Sequence, residues 1–279
     1  MRCDLGRASI DYETFGEGVP LVVLHGMPLD RNASIFEFEP VLSTRAGWRR
    51  IYPDLPGHGR SPGAAAITTP DQLLDVLVEF VEALLGGARF VAAGTSFGAY
   101  LARGLVHRLG SRIDGLCLNV PLIGRDPEGA RAPRLIVADE ARIDEQSRDP
   151  GWAWYGEMAV ADSVVNRAYA RADNSTTSDA AYLAQLHGAA TPCSFETEDL
   201  PEPFAPPTLI LTGRQDNVVG FKAVWEILPS YPRATFAVLD RAGHLLRGEQ
   251  PALFSALVNE WLDRVEEWMD AGVATSVGA

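Results

Sequence analysis

The stretch Arg89-Phe90-Val91-Ala92-Ala93-Gly94-Thr95-Ser96-Phe97-Gly98-Ala99 decides how the rest of the chain is read. An apolar run meets Gly94-Thr95-Ser96-Phe97-Gly98 and passes straight into a helix-forming segment. This predicts a strand, a sharp turn carrying Ser96, and a helix over 97–109. Turning from strand to helix in so few residues crowds the backbone around the serine, and glycines at 94 and 98 leave the turn room to close. The turn holds the Ser96 hydroxyl above the end of the strand, where the first N–H groups of the new helix point with their partial positive charge. A Gly-x-Ser-x-Gly match in a chain with 26 glycines carries little weight by itself. Its place between a buried strand and a helix gives it meaning.

Upstream of this turn, residues 2–15 predict two short antiparallel strands, with Ile10, Tyr12 and Thr14 alternating against Asp11 and Glu13. Leu21-Val22-Val23-Leu24 is an unbroken apolar run closed by His25-Gly26-Met27-Pro28, as expected of a strand buried on both faces and ending in a tight turn. A helix interrupted by Pro40 is predicted from Ala33 to about Thr44. A strand from Trp48 to Pro53 follows and leads into the glycine-punctuated loop Asp54-Leu55-Pro56-Gly57-His58-Gly59-Arg60-Ser61. Thr69-Pro70-Asp71 opens a helix through Leu85, with Leu73, Leu74, Leu77, Val81 and Leu84 on one face and Gly86-Gly87 at its end.

Downstream, Ile113–Val120 returns as a strand. The alternation of strand and helix calls for a mostly parallel sheet with right-handed crossovers. It pauses at Pro121, and residues 122–204 read as an inserted helical cap with helices near 133–146, 152–172 and 178–187. Strands at 207–212 and 234–239, a helix near 220–229 and a closing helix from Gln250 to about Asp270 complete the core, which spans 1–121 and 205–279. Residues 271–279 are expected to be a frayed tail.

Composition narrows the function. A content of 47% apolar and 22% charged residues is that of a globular protein of ordinary solubility. A net charge of −13 without a basic stretch argues against nucleic acid or an anionic membrane as partner. Cys3, Cys117 and Cys193 are odd in number and far apart, which speaks against a disulfide framework and a structural zinc site and for a reducing cytoplasm. No apolar run has the length of a signal-peptide core or a membrane span. No metal or cofactor is expected; the partner expected is a small-molecule substrate, and the oligomeric state is left open.

A serine hydroxyl needs a base within hydrogen-bond reach and a third group to orient that base. Of five histidines, His244 in Arg241-Ala242-Gly243-His244 sits past a strand and before the closing helix, at the carboxyl edge of the sheet. His107 lies on the far side of the helix after Ser96, and His58 and His187 read as scaffold. Asp216, in Gly213-Arg214-Gln215-Asp216-Asn217, is the acidic residue after the 207–212 strand. For the negative charge that develops on an attacked oxygen, the backbone N–H groups of Phe97 and Met27 are the candidate donors.

His25-Gly26-Met27-Pro28, the 54–61 loop, Gly94-Thr95-Ser96-Phe97-Gly98, Gly213-Arg214-Gln215-Asp216 and Gly243-His244 together resemble the α/β-hydrolase superfamily over nearly all of the chain outside the cap and tail. The resemblance implies an α/β-hydrolase fold, a mostly parallel central sheet with helices on both faces. It also implies a Ser96–Asp216–His244 triad in the chain order of that fold. Relatives with this motif set include carboxylesterases, lactonases, thioesterases, hydrolases of carbon–carbon bonds in ring-cleavage products, and cofactor-free haloperoxidases. Ser96 at the turn speaks against the alkyl-enzyme chemistry of epoxide hydrolases and haloalkane dehalogenases, which carry aspartate there.

The expected activity is hydrolysis of a small or medium ester-like substrate through an acyl-enzyme. Carbon–carbon hydrolysis of a vinylogous diketone and a non-catalytic ligand-binding role stay open. Trp154 in the cap, with Val219 and Leu245 beside the acid and the base, are the candidate substrate-binding residues. Trp152, Tyr155, Met158, Tyr169 and Tyr182 either pack the cap or line a pocket, and Arg125, Arg131, Arg134 and Arg142 are candidate partners for a substrate carboxylate.

Overall fold

A computed structural model describes residues 1–123, 137–138, 158–161, 179, 181–183, 186, 194 and 196–277. Eight strands form the main sheet: β1 (Arg2–Asp4), β2 (Ser9–Phe15), β3 (Val19–Leu24), β4 (Trp48–Pro53), β5 (Phe90–Thr95), β6 (Ile113–Asn119), β9 (Thr208–Gly213) and β10 (Ala234–Leu239). Their order is β1-β2-β4-β3-β5-β6-β9-β10. The β1–β2 and β2–β4 pairings are antiparallel, and every pairing from β4 to β10 is parallel. All loops that follow β3, β5, β9 and β10 therefore leave from one edge.

The apolar runs are unbroken because both faces of the sheet are covered. Val22, Leu24, Phe90, Ala92, Leu116 and Ile210 pack with helices α2 (Pro70–Leu85) and α3 (Phe97–Leu109) on one side. Their neighbours Leu21, Val23, Val91, Ala93, Cys117 and Leu209 pack on the other side with α1 (Arg31–Leu42) and the C-terminal helix Pro251–Val277, which contributes Phe254, Val258 and Trp261. Each of the valines, leucines, isoleucines and phenylalanines among them, fully buried, stabilises the fold by about 1.5–3 kcal/mol against exposure. The N-terminus of α2 is closed by a capping box in which Thr69 Oγ1 accepts from the Gln72 N–H and Gln72 Oε1 accepts from the Thr69 N–H.

Several expectations are corrected. The helix near 220–229 is only Val224–Ile227 with a 3-10 turn at Leu228–Ser230; Gly220 has φ +69°, which keeps the backbone out of helix before it, and Pro229 stops it after. The C-terminal helix runs to Val277, so 271–277 is not a frayed tail; no proline intervenes to end it, and each turn is added to a helix already nucleated. Within the stretches expected to be helical, Val137–Ala138 and Val160–Ala161 pair instead as short parallel strands, β7 and β8, in keeping with the extended preference of valine. Residues 181–183 and 186 are helical. The rest of the expected cap helices lies outside the described residues.

One buried guanidinium holds the chain both shortly after β6 and shortly before β9. Arg103 of α3, 1% exposed, donates to the Leu122 carbonyl at 2.8 Å and makes a bidentate pair with Glu198, whose Oε1 also accepts from Tyr231. Glu198→Ala leaves Arg103 charged and buried without a counter-ion. The expected loss is about 3 kcal/mol of unfolding free energy, read from urea denaturation followed by circular dichroism.

Candidate functional site

Ser96 stands between β5 and α3 with φ 55° and ψ −115°, a conformation that L-residues rarely adopt. Its neighbours hold it there: the Ser96 N–H donates to the Asn119 carbonyl at 2.9 Å, and the Ser96 carbonyl accepts from the Tyr100 N–H at 3.1 Å. A Cβ on Gly98 would collide with the Leu24 and His25 carbonyl oxygens, and one on Gly94 with the Gly98 backbone, so α3 rests directly on the end of β3. Below Ser96, the Thr95 hydroxyl donates to buried Glu37 at 2.5 Å and accepts from Asn119 Nδ2 at 3.3 Å.

The loop after β9 and the loop after β10 are drawn together by backbone contacts. The Gln215 N–H donates to the Ala242 carbonyl at 2.9 Å, and Gly213 lies too close to Ala242 and Gly243 to bear a side chain. Asp216 and His244 are thus brought side by side. Asp216 Oδ1 accepts from the Val218 and Val219 N–H groups at 2.8 and 3.0 Å, leaving Oδ2 for His244 Nδ1 at 2.9 Å. Burial works against the charge on Asp216, but the His244 ring and the two N–H donors prevail and hold its carboxyl below the usual range.

An ionised acceptor at Oδ2 places the ring proton on Nδ1, so Nε2 is left to accept, and it lies 3.1 Å from Ser96 Oγ. The structure therefore brings together Ser96, Asp216 and His244, separated by 120 and 28 residues in the chain, in one hydrogen-bonded line. Such a line can take a proton from the hydroxyl as its oxygen attacks a carbon centre.

Phe97 is the first residue of α3, so no carbonyl of the helix lies in reach of its N–H. Met27 follows β3 in the loop that Gly26 bends through the Leu29 N–H to Gly26 carbonyl bond, 3.1 Å long. His25 braces this loop: its Nδ1 bonds the Gly26 carbonyl at 2.9 Å and its Nε2 accepts from the Leu55 N–H at 3.0 Å. Burial, opposed by the bond to Gly26 and helped by Arg31, lowers the His25 pKa to about 4, so the ring is neutral. The 54–61 loop is fixed in turn by Asp54, which accepts from the Arg31 guanidinium at 2.6 Å and from the Arg31 and Arg60 N–H groups.

Other candidates fall elsewhere. Val219 is half-buried beside Asp216, while Leu245 is buried and packs with Leu29, Ala33 and Met158. Tyr182 is buried against Gly57 and Gly63, so it covers the 54–61 loop. Trp152, Trp154, Tyr155, Tyr169 and the arginines at 125, 131, 134 and 142 lie outside the described residues. Sequence reasoning missed Glu37 and Glu249, both buried carboxylates. Nothing but their position marks them, Glu37 between two phenylalanines and Glu249 five residues past His244. Among the described residues no group of three or more His, Cys, Asp or Glu side chains is gathered as a metal site needs, and no helix is long and apolar enough to cross a membrane.

A family model described as "Alpha/beta hydrolase family" matches residues 21–257. Among solved structures, an alpha/beta superfamily hydrolase from Oenococcus oeni PSU-1 is 26% identical with a TM-score of 0.80, over 93% of this chain and 97% of that one. A thermophilic esterase from Thermogutta terrifontis is 23% identical, TM-score 0.72, over 95% and 99%. A meta-cleavage product hydrolase from Pseudomonas fluorescens IP01 is 20% identical, TM-score 0.67, over 92% and 94%. The last two likenesses are of fold. A comparison with curated proteins found no match.

The strained turn makes a prediction that needs no substrate. Ser96→Gly relieves a conformation that costs about 1–3 kcal/mol and gives back up to about 1 kcal/mol to the unfolded chain. The variant should be more stable than the parent by about 1 kcal/mol in urea denaturation, while Ser96→Ala, which keeps the Cβ, should not gain.

Proposed function

The chain belongs to the alpha/beta hydrolase family, and on that premise we propose that it is a serine hydrolase that cleaves a small or medium ester-like acyl substrate through an acyl-enzyme on Ser96. The observation that carries this reading is the unbroken line from Asp216 through His244 to Ser96 Oγ, with contacts of 2.9 and 3.1 Å. In the proposed cycle Ser96 Oγ attacks the carbonyl carbon while its proton passes to His244 Nε2. The Met27 and Phe97 N–H groups receive the charge that builds on the carbonyl oxygen, each donor contributing about 3 kcal/mol to the lowered barrier. The tetrahedral adduct collapses, the C–O bond to the leaving alkoxide breaks, and His244 returns the proton to it. Water then attacks the acyl-enzyme by the same route in reverse roles, releasing the acid and restoring the Ser96 hydroxyl.

Asp216 stays ionised throughout, holding the Nδ1–H tautomer and balancing the imidazolium as it forms. The low pKa of its carboxyl supports this role. Val219 and Leu245, beside the acid and the base, are proposed to border the acyl group, with Trp154 from the inserted stretch. The esterase among the fold neighbours is consistent with ester hydrolysis, and the meta-cleavage product hydrolase makes carbon–carbon cleavage the rival to be tested.

Two measurements test the proposal. Ser96→Ala should lower kcat/KM for a p-nitrophenyl ester by at least about 10⁴-fold and abolish labelling by a fluorophosphonate, with the fold intact by circular dichroism; substantial residual turnover overturns the assignment. Asp216→Asn should leave KM near the parent value and lower kcat by about 10³–10⁴-fold. A dienoate ring-cleavage product, assayed beside short esters, separates the two reactions, and an unlabelled parent protein would point to a ligand-binding role.

A further inference from the structure

Glu249 ends the short helix Leu246–Glu249 that follows His244, and its side chain is buried. Its two oxygens serve two different pieces of backbone. Oε2 accepts from the Gly243 N–H at 2.5 Å, next to His244, and Oε1 accepts from the Ala159 N–H at 3.3 Å, in the inserted stretch. Among the described residues no arginine or lysine pairs with it. A buried carboxylate without a cation is costly and is not needed to fill space, since an apolar residue of the same volume would fill it better. The two N–H groups are what the carboxylate is there to hold.

Resting on the reading of His244 as base, we propose that Glu249 is a positioning residue: its one carboxylate pins the Gly243–His244 turn to residues 158–161, so that the imidazole keeps its place between Asp216 and Ser96. Met158, beside the pinned Ala159, packs with Leu29, Ala33 and Leu245, so the same anchor seats Met158 against the segment after β3. The ionised form suits the task best, because both of its oxygens accept; the protonated form sets a hydroxyl opposite one of the two donors.

Burial pushes the Glu249 pKa up to about 7, the Gly243 and Ala159 N–H groups draw it down, the Asp216 charge raises it and His244 lowers it. Asp216 and His244 are thus the ionisable groups that face it, and Met158–Ala161 brings none. By reciprocity, the Glu249 charge favours the imidazolium form of His244.

The test uses three full-length variants. Glu249→Gln keeps the size, offers one acceptor in place of two and carries no charge. Glu249→Asp keeps the charge but is too short to reach both donors. Glu249→Ala removes both. The ring titration of His244, followed by nitrogen-15 NMR and assigned with a His244→Gln control, does not depend on turnover. Glu249→Gln should move its midpoint to lower pH by about half a unit, and Glu249→Asp should leave it near the parent value.

In ester turnover Glu249→Gln should lower kcat by about tenfold with KM rising less, and the acid limb of kcat/KM should follow the NMR shift. Glu249→Asp should lower kcat without moving the limb. His244 titrations that superimpose in the parent and the Gln variant, or a kcat of the Gln and Ala variants equal to that of the parent, overturn the proposal. Where the parent neither turns over esters nor labels at Ser96, the titration alone decides: a Gln-variant midpoint below that of the parent upholds the anchor, and the silence of the parent counts against the hydrolase reading instead.

Discussion

No side chain fits between Gly98 and the carbonyl oxygens of Leu24 and His25, and the site is built on that close approach. Because α3 sits directly on the end of β3, the start of the helix and the loop carrying Met27 converge over one point. Ser96 is forced into its positive-φ turn above it. A second contact of the same kind, Gly213 against Ala242 and Gly243, brings the loops after β9 and β10 together and so sets Asp216 against His244. Two places where backbone meets backbone fix the distances among groups far apart in the chain. Side chains adjust the result; glycines make it possible.

Much of this was legible in the sequence because strand burial and turn chemistry are local signals. The apolar runs at 21–24, 90–93 and 209–211 are buried on both faces, as unbroken runs require, and the glycine pattern around Ser96 marked the turn. Where the reading failed, the deciding force was of another kind. Helix boundaries after Gly220 depended on one positive φ, and the C-terminal helix continued past Asp270 where the patterning had faded, because extending a formed helix is easier than starting one. The valines at 137 and 160 lay in windows whose spacing read as helical, and the pairing of β7 with β8 is between segments that no local pattern connects. Glu37 and Glu249 were invisible because a carboxylate in a sequence looks solvated unless its burial is known.

Buried polar groups form a layer around the site that apolar packing alone does not explain. Thr95 links Asn119 to Glu37 beneath Ser96, neutral His25 ties the loop after β3 to the 54–61 loop, and Asp54 gathers Arg31 and two N–H groups. Each is costly to bury and is repaid only by partners in the right place, so each resists alternative arrangements of the loop that it holds. The parallel sheet supplies a common edge, and these bonds choose one conformation for each loop on it.

The Arg103 guanidinium, which grips Leu122 on the outgoing side and Glu198 on the returning side, has an evolutionary corollary. Losing either the arginine or the acid would strand the other charge in the interior. Descendants of this chain should therefore keep the two together or give them up together, as a unit of inheritance spread over nearly a hundred positions.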